Sequence, residues 1–329
     1  MMKNTEQKFD IKSNIETVSK NGLKMNERIT PKKIPALTPD KKPWPKISIV
    51  TVSFNMEDYI EDTILSVIGQ DYPNLEYIII DGGSKDGTVD IIRKYEKWIS
   101  YWVSEPDNGM YDAIQKGFKV STGDIMAYIN SDDKYHPNAF FAAATIFSSN
   151  EDVEWILGRA SFYNDEGTIV DVKDMRKWSK FDYYTGDYKW IQQESVFWKR
   201  SLWNKAGSKI NTSLKLAGDY ELWLRFFRFA KLYCCDTVFA GFRFRTKDQL
   251  SLEKIDSYLF EVEDVTDLGL LPRDEKYAIW KINFFRKFIF RIPFIRRLKF
   301  LRRHFDSIFD YPPRIVYDFY QRKFYKNKS

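Results

Sequence analysis

The chain has 329 residues, of which 43% are hydrophobic; it carries a net charge of +6 and holds two cysteines and two histidines. That length suits one large domain or two modest ones, and an apolar share near the globular average allows a sizeable core. Two cysteines exclude a disulfide framework or a structural zinc site, and two histidines as distant as His136 and His304 exclude histidine-rich metal chemistry. The positive charge is local, because residues 281–303 hold nine Lys or Arg and no acid. This predicts a basic tail and argues against a general nucleic-acid surface. The adjacent Cys234 and Cys235 fit a reducing, cytoplasmic setting. Residues 1–20 are polar and lack the apolar stretch of a secretory signal, and no uncharged apolar run of 18 residues occurs.

In chain order, residues 1–45 read as a disordered tail and linker, polar at first and then punctuated by five prolines. Residues 47–54 form a β-rich run, and 59–70 carry Ile60, Ile64, Leu65 and Ile68 at helical spacing. A nearly all-apolar strand follows at 75–80, then helix 88–98, strand 99–104, helix 110–120 and strand 125–129. Repeated strand–helix alternation predicts an α/β layer with a mostly parallel sheet and helices on both faces. Ligands of such sheets bind beyond the carboxyl ends of the strands. Asp81, Asp107 and Asp132 all stand at or just after those ends, so topology brings three acids to one edge.

The apolar run 125–129 stops at Asn130, Ser131, Asp132 and Asp133. Adjacent carboxylates disfavour each other's ionisation, and a divalent cation with hard oxygen ligands relieves that cost. A solvated turn is the alternative. Residues 81–87, Asp-Gly-Gly-Ser-Lys-Asp-Gly, match neither the phosphate loop nor the dinucleotide fingerprint. Two glycines after Asp81 let backbone approach a ligand closely; equally, Ser84 or Asp86 can cap the helix from Thr88.

The β-rich segment 49–55, the Asp-Gly-Gly segment at 81–88 and the Asn-Ser-Asp-Asp segment at 130–133, in this order and spacing, resemble the signature of family 2 glycosyltransferases. Residues 107–113 resemble the loop between the second and third of these, and the resemblance covers about 46–245. It implies a GT-A type, Rossmann-like fold and inverting transfer from a nucleotide-diphospho-sugar, with a UDP-sugar preferred and Mn²⁺ or Mg²⁺ as cofactor. Asp81 would hold the base, and the stretch with Ser53, Asn55 and Glu57 would line the nucleotide pocket. Gly82, Asp107 and Gly109 would join that set. Asp132 would ligate the metal, with Asp133 as second choice, because Asn130 replaces the first Asp of the family's pair. In strand geometry Asn130 and Asp132 share a side and Asp133 takes the other. Gln115 stands where the family often has Asn.

Further along, 153–164 and 168–172 read as two strands around a turn at 165–167, and 183–190 as an aromatic loop. The Gln-Gln-Glu-Ser segment at 192–195 resembles an acceptor-side segment in a subset of that family; the alternative is a polar strand. A short helix is expected at 200–206, a strong one at 220–229 and a strand at 231–244. Asp219 opens the 220–229 helix. It reads either as an N-cap or as the general base that an inverting transfer needs for the acceptor hydroxyl. In many family members a Glu precedes that Asp; here Gly218 does.

The domain reading is therefore a glycosyltransferase domain at 46–250, with a nucleotide half at 46–133 and an acceptor half at 134–250. A helical, basic-aromatic extension covers 251–329. Within it Ile282, Phe285, Ile289, Ile292, Ile295, Leu298, Leu301, Phe305 and Ile308 repeat at helical spacing, broken by Pro293, with Arg296, Arg297, Arg302 and Arg303 on other faces. Residues 277–309 then fit either an anionic membrane surface or a helical cap on the catalytic domain. The expected partners are a nucleotide-sugar and a glycan or lipid-linked acceptor, without nucleic acid, at the inner face of the cell membrane. Two rivals are a sugar nucleotidyltransferase and a non-catalytic nucleotide- or glycan-binding protein of the same fold. The first needs a Gly-rich loop after the first strand, and 53–57 has no Gly.

Overall fold

The computed structural model describes residues 37–186, 191–245, 254–266, 269, 271–292, 294 and 298–327. The expected tail at 1–36, the end of the aromatic loop at 187–190, and Pro293, Ile295, Arg296 and Arg297 lie outside the described residues.

In chain order the first half contains β1 (Ile47–Ser53), α1 (Ile60–Ile68), β2 (Leu75–Asp81), α2 (Thr88–Lys94), β3 (Tyr101–Ser104), α3 (Met110–Val120) and β4 (Ile125–Asn130). Next come β5 (Lys134–Tyr135), α4 (Ala139–Ser149), β6 (Trp155–Leu157), β7 (Ser161–Tyr163), β8 (Ile169–Val172) and α5 (Lys180–Tyr184). They are followed by β9 (Val196–Lys199), α6 (Arg200–Lys205), α7 (Gly218–Phe227), β10 (Leu232–Cys234) and β11 (Ala240–Arg243). The last elements are α8 (Ile255–Val265), α9 (Arg273–Phe284) continued by a π-helical turn (Phe285–Ile289), α10 (Lys299–Ile308), β12 (Arg314–Asp318) and β13 (Lys323–Asn327).

The main sheet has seven strands in the order β10-β6-β9-β4-β1-β2-β3. β1, β2, β3 and β4 run parallel, and β9 is antiparallel to both β4 and β6. The pleat explains why the first strands are apolar throughout. On one side Val50, Val52, Ile78, Ile80, Met126 and Tyr128 pack with Ile114 and Phe118 of α3. On the other Ile49, Tyr77, Ile79, Ala127 and Ile129 pack with Ile60 and Ile64 of α1 and Phe140 of α4. Alternate side chains thus serve two cores, with helices on both faces.

Several boundaries differ from expectation. Trp44 is buried and meets Tyr72 and Phe141 edge-on, so the folded body begins before Lys46. Residues 153–164 split into β6 and β7, which lie in different sheets. The break falls at Gly158, where a Cβ would stand 2.8 Å from the Phe239 ring. Likewise 231–244 divides into β10 of the main sheet and β11 of a four-stranded sheet ordered β5-β11-β7-β8. Phe229, at the end of the expected 220–229 helix, is exposed, because α7 ends at Phe227. Cys234 and Cys235 are buried free thiols, both pushed up in pKa by burial. The C-terminal segment is neither wholly helical nor separate. Tyr258, Val262, Ile279, Ile282 and Phe309 join the core of α3 and α7, and the β12–β13 hairpin seats Ile315 in the other core beside Cys235.

Candidate active site at the carboxyl edge of the sheet

The ends of β1 and β2 are joined by a hydrogen-bonded lattice. Asp81 is fully buried, and its carboxylate accepts from Gly83 N (3.1 Å), Ser84 N (2.9 Å), Ser84 Oγ (2.5 Å) and Ser104 Oγ (2.6 Å). These four donors define its work in this structure, which is to shape the 82–84 loop. Asn55, at φ 53°, donates its backbone N–H to Ser84 Oγ (2.7 Å) and accepts from Lys85 N through Oδ1 (2.9 Å). Glu57 accepts from Gly87 N (2.6 Å), and its own N–H bonds Asp86 Oδ2 (3.0 Å). Asp86 Oδ1 accepts the N–H of Thr88 (3.1 Å) from just outside α2, whose cap residue Gly87 has no side-chain bond. Ser53 Oγ is buried without a partner.

Asp107 reaches the same edge. Its Oδ1 accepts from Gly109 N (2.8 Å), and its Oδ2 lies 2.8 Å from where a Cβ on Gly82 would stand. A side chain at 82 would therefore collide with Asp107. Gly109 has φ 112°, a backbone that favours glycine, and it starts α3. Ser53, Asn55, Glu57, Asp81, Gly82, Asp107 and Gly109 thus gather at the carboxyl ends of β1, β2 and β3.

At the end of β4 the two carboxylates part. Asp132 Oδ2 pairs with Arg245 Nε at 2.9 Å. Burial raises its pKa, and the Arg245 guanidinium works against that rise. Asp133 is fully buried; its Oδ1 accepts Arg243 N (2.9 Å) and its Oδ2 lies 3.5 Å from Gln193 Nε2. Burial, with Asp132 and Glu194 nearby, pushes its carboxyl well up. Asp133 therefore braces the backbone of β11 through Oδ1. The Asn130 Oδ1 is buried and unpartnered. Among the described residues no group of three or more His, Cys, Asp or Glu side chains is placed to hold a metal ion by itself. Asp132 and the orphaned Asn130 oxygen supply the hard oxygen chemistry that suits Mg²⁺ or Mn²⁺, in the manner of ions held largely by substrate phosphates.

Asp219 lies in the first turn of α7 and is half-buried. Its Oδ1 accepts Tyr220 N (2.8 Å) and Tyr111 Oη (3.2 Å), and Tyr111 Oη also lies 2.8 Å from the Leu216 carbonyl. Burial pushes the Asp219 carboxyl up to about 6, against the pull of those donors. The cap residue Ala217 offers no side-chain bond, so Asp219 is not the N-cap. Gly218 has a steric reason: a Cβ there would stand 2.9 Å from the Tyr111 ring. Gln115 serves outside the site, accepting Ile210 N (2.8 Å).

Arg245 and Glu261 carry no expectation from the sequence, Tyr111 lies in the 107–113 segment without a role of its own, and Glu194 lies in the 192–195 segment read as acceptor-side or polar strand. Glu194 is buried in the 193–195 turn, with an unpartnered Oε1. Burial pushes it up to about 8, and the Asp132 and Asp219 carboxylates add to that. The side-chain carbonyl oxygens of Gln192 and Gln193 are likewise buried and unpartnered. A Gln-Gln-Glu run before a short strand was a usable signal, since an unpaired buried carboxyl costs too much for a polar strand alone. Glu261 and Arg245 gave no local signal, because their partners are 44 and 113 residues away.

Residues 48–208 match the family described as Glycosyl transferase family 2. A chain of Mycobacterium tuberculosis named an uncharacterized glycosyltransferase is 40% identical over 92 residues, covering 28% of this chain and 35% of that one. Bacillus subtilis TuaG, named for teichuronic acid biosynthesis, is 32% identical over 140 residues, covering 42% of this chain and 52% of TuaG. The match spans less than two thirds of the length of these curated relatives. Among solved structures, S. aureus TarS in complex with UDP-GlcNAc superposes with a TM-score of 0.58 at 16% identity, covering 80% of this chain and 79% of that one. That likeness establishes the shared GT-A type fold. With the ordered motifs and the sheet edge they build, these matches show a glycosyl transferase family 2 domain within residues 48–208 of the chain.

Proposed function

We propose that the chain transfers a sugar from a nucleotide-diphospho-sugar to a hydroxyl of a cell-surface glycan or its lipid-linked precursor, with inversion at the anomeric carbon. The observation that carries this reading is Asp219, a carboxylate held by Tyr111 and Tyr220 in a setting that pushes it up to about 6. Such a group is ionised at neutral pH and still basic enough to take a proton from an attacking hydroxyl. Both bonds go to Oδ1, which leaves Oδ2 as the base oxygen. The lattice around Asp81, Asn55, Glu57 and Asp107 would hold the nucleotide edge in shape, with Gly82 leaving room for the Asp107 carboxylate. A UDP-sugar is the preferred donor.

Asp132 would hold a divalent cation on the donor diphosphate, with the Asn130 oxygen beside it. When bound, the ion neutralises charge on the leaving diphosphate. Arg245, paired with Asp132 at 2.9 Å, would add positive charge at the same end of β4. TuaG, named for teichuronic acid biosynthesis, supports a polysaccharide acceptor. The basic-aromatic C-terminal segment supports a site at the inner face of the membrane, where lipid-linked acceptors lie.

The test is release of nucleotide from UDP-, GDP- and dTDP-sugars with and without Mn²⁺, followed by transfer to an extracted acceptor. Full transfer by Asp219→Asn would refute the base assignment. Binding of a nucleotide-sugar without turnover on any acceptor would instead favour the non-catalytic rival.

A further inference from the structure

Part of the apolar repeat that suggested a membrane face is turned inward. Ile282 is fully buried, Ile279 nearly so, and Phe285 packs against Phe290 and Phe305. What α9 turns outward is a different stripe. Tyr277, Trp280, Phe284 and Phe288 are exposed at 57%, 57%, 38% and 55%. Their positions follow the i, i+3, i+7, i+11 line of one helix face. The rings form a ladder, with centroids 5.8 Å apart for Tyr277–Trp280, 5.5 Å for Trp280–Phe284 and 5.4 Å for Phe284–Phe288. Phe294 and Phe300 are also exposed, at 74% and 65%. Contiguous exposure of this kind marks an interaction site.

The charge around the ladder says what the partner is. Residues 281–303 contain nine Lys or Arg and no acid. Lys281 Nζ sits 4.3 Å from the Tyr277 ring centroid, and Lys287 Nζ 5.5 Å from that of Phe288, so cations flank the rings. Lys287, Arg291, Arg302 and Arg303 are exposed. Aromatic rings settle at the headgroup level of a bilayer, and clustered Lys and Arg are drawn to anionic headgroups. Among the described residues no helix is long and apolar enough to cross a membrane. The segment therefore suits lying on a bilayer, with the buried side of α9 anchored in the catalytic core through Ile279 and Ile282.

We infer that the outward ladder Tyr277–Trp280–Phe284–Phe288, with its surrounding Lys and Arg, is a docking surface for an anionic lipid bilayer. This deepens the membrane part of the proposed function and is independent of the transfer chemistry. It also assigns the contact to residues other than the buried Ile282 and the packed Phe285.

The experiment is flotation of the full chain with vesicles of phosphatidylcholine alone or mixed with phosphatidylglycerol, with no donor or acceptor present. The full chain is expected to float with the anionic vesicles, and its Trp280 emission to shift to the blue. The triple variant Trp280→Ser, Phe284→Ser, Phe288→Ser changes only exposed side chains, and an unchanged thermal midpoint checks its fold. It should bind at least about tenfold more weakly. Replacing Lys287, Arg291, Arg302 and Arg303 with Gln should weaken binding about fivefold per residue, and high salt should mimic that loss. Failure of the wild type to float with anionic vesicles, or equal binding by the triple variant, would overturn the inference. So would lipid-free self-association that the triple variant abolishes, since a second copy would then cover the ladder. Because no sugar chemistry is measured, these outcomes leave the base assignment of Asp219 untouched.

Discussion

The Glu261 carboxylate of α8 accepts the backbone N–H of Ala217 at 2.8 Å, and also those of Leu216 and Lys215 at 2.9 Å each. The α7 helix has no side-chain cap of its own, so a residue from the C-terminal segment supplies the missing acceptors just ahead of Asp219. Lys215 in turn donates Nζ to the Asn108 carbonyl at 2.9 Å, tying this junction to the Asp107–Gly109 loop. Glu261→Ala leaves three donors without that acceptor and should cost about 1–3 kcal/mol of stability. It should lower kcat for transfer more than it raises KM for the donor, and Glu261→Gln should recover part of the loss. Steady-state kinetics with donor and acceptor varied in turn would check this.

Asp219 predicts a pH profile. Its carboxyl is pushed up to about 6, so the proton-accepting form falls away as pH drops through that value. The rate of transfer should rise with pH to a plateau above about 6. Tyr111→Phe removes a hydrogen bond to the ionised form, which should move the profile to higher pH while leaving the buried ring in place. Asp219→Asn should lose transfer by about a hundredfold or more and keep donor binding.

Gly218→Ala tests the packing that sets Asp219. Its added methyl group would stand 2.9 Å from the Tyr111 ring, which is buried and cannot simply swing away. Overpacking of this kind costs about 1–3 kcal/mol. Thermal unfolding should show that loss, and activity should fall further than stability alone explains, because the moved ring carries the hydroxyl bonded to Asp219.

Glu194 offers a stability test. Burial pushes it up to about 8, whereas an exposed Glu titrates near 4. Between those values the folded chain holds a proton that the unfolded chain has released. Stability from this group is therefore present at low pH, declines as pH rises from about 4, and levels off above about 8. Glu194→Gln should remove that penalty and stabilise the protein at alkaline pH, with little change near pH 4. Denaturant midpoints across pH would reveal the slope. A pH-independent difference between the two proteins would contradict it.

The sequence carried the first half of the fold well. β1, β2, α3 and β4 came out within a residue or two, because strands buried on both faces are nearly continuous apolar runs and α3 is strongly periodic. The later strands were less legible. β6, β7, β10 and β11 are three or four residues long, and periodicity cannot distinguish one long strand from two short ones in different sheets. Helix α4 passed unremarked, since its run of Ala and Phe is apolar on nearly every side.

The acids show the same division. Chain order alone placed Asp81, Asp107 and Asp132 at one edge, because parallel strands joined by helices present their carboxyl ends together. The tertiary structure decided what each carboxylate touches. It turned Asp81 into the organiser of its loop, set Asp132 against Arg245 and turned Asp133 onto the backbone of Arg243. Those partners lie up to 113 residues apart, and local pattern carries no information about contacts of that range. The C-terminal segment gives the sharpest contrast. Its basic and aromatic composition was plain in the sequence, but two apolar stripes on one helix are equivalent until one meets the core. Packing chose Ile279 and Ile282 for the inside and left Tyr277, Trp280, Phe284 and Phe288 facing outward.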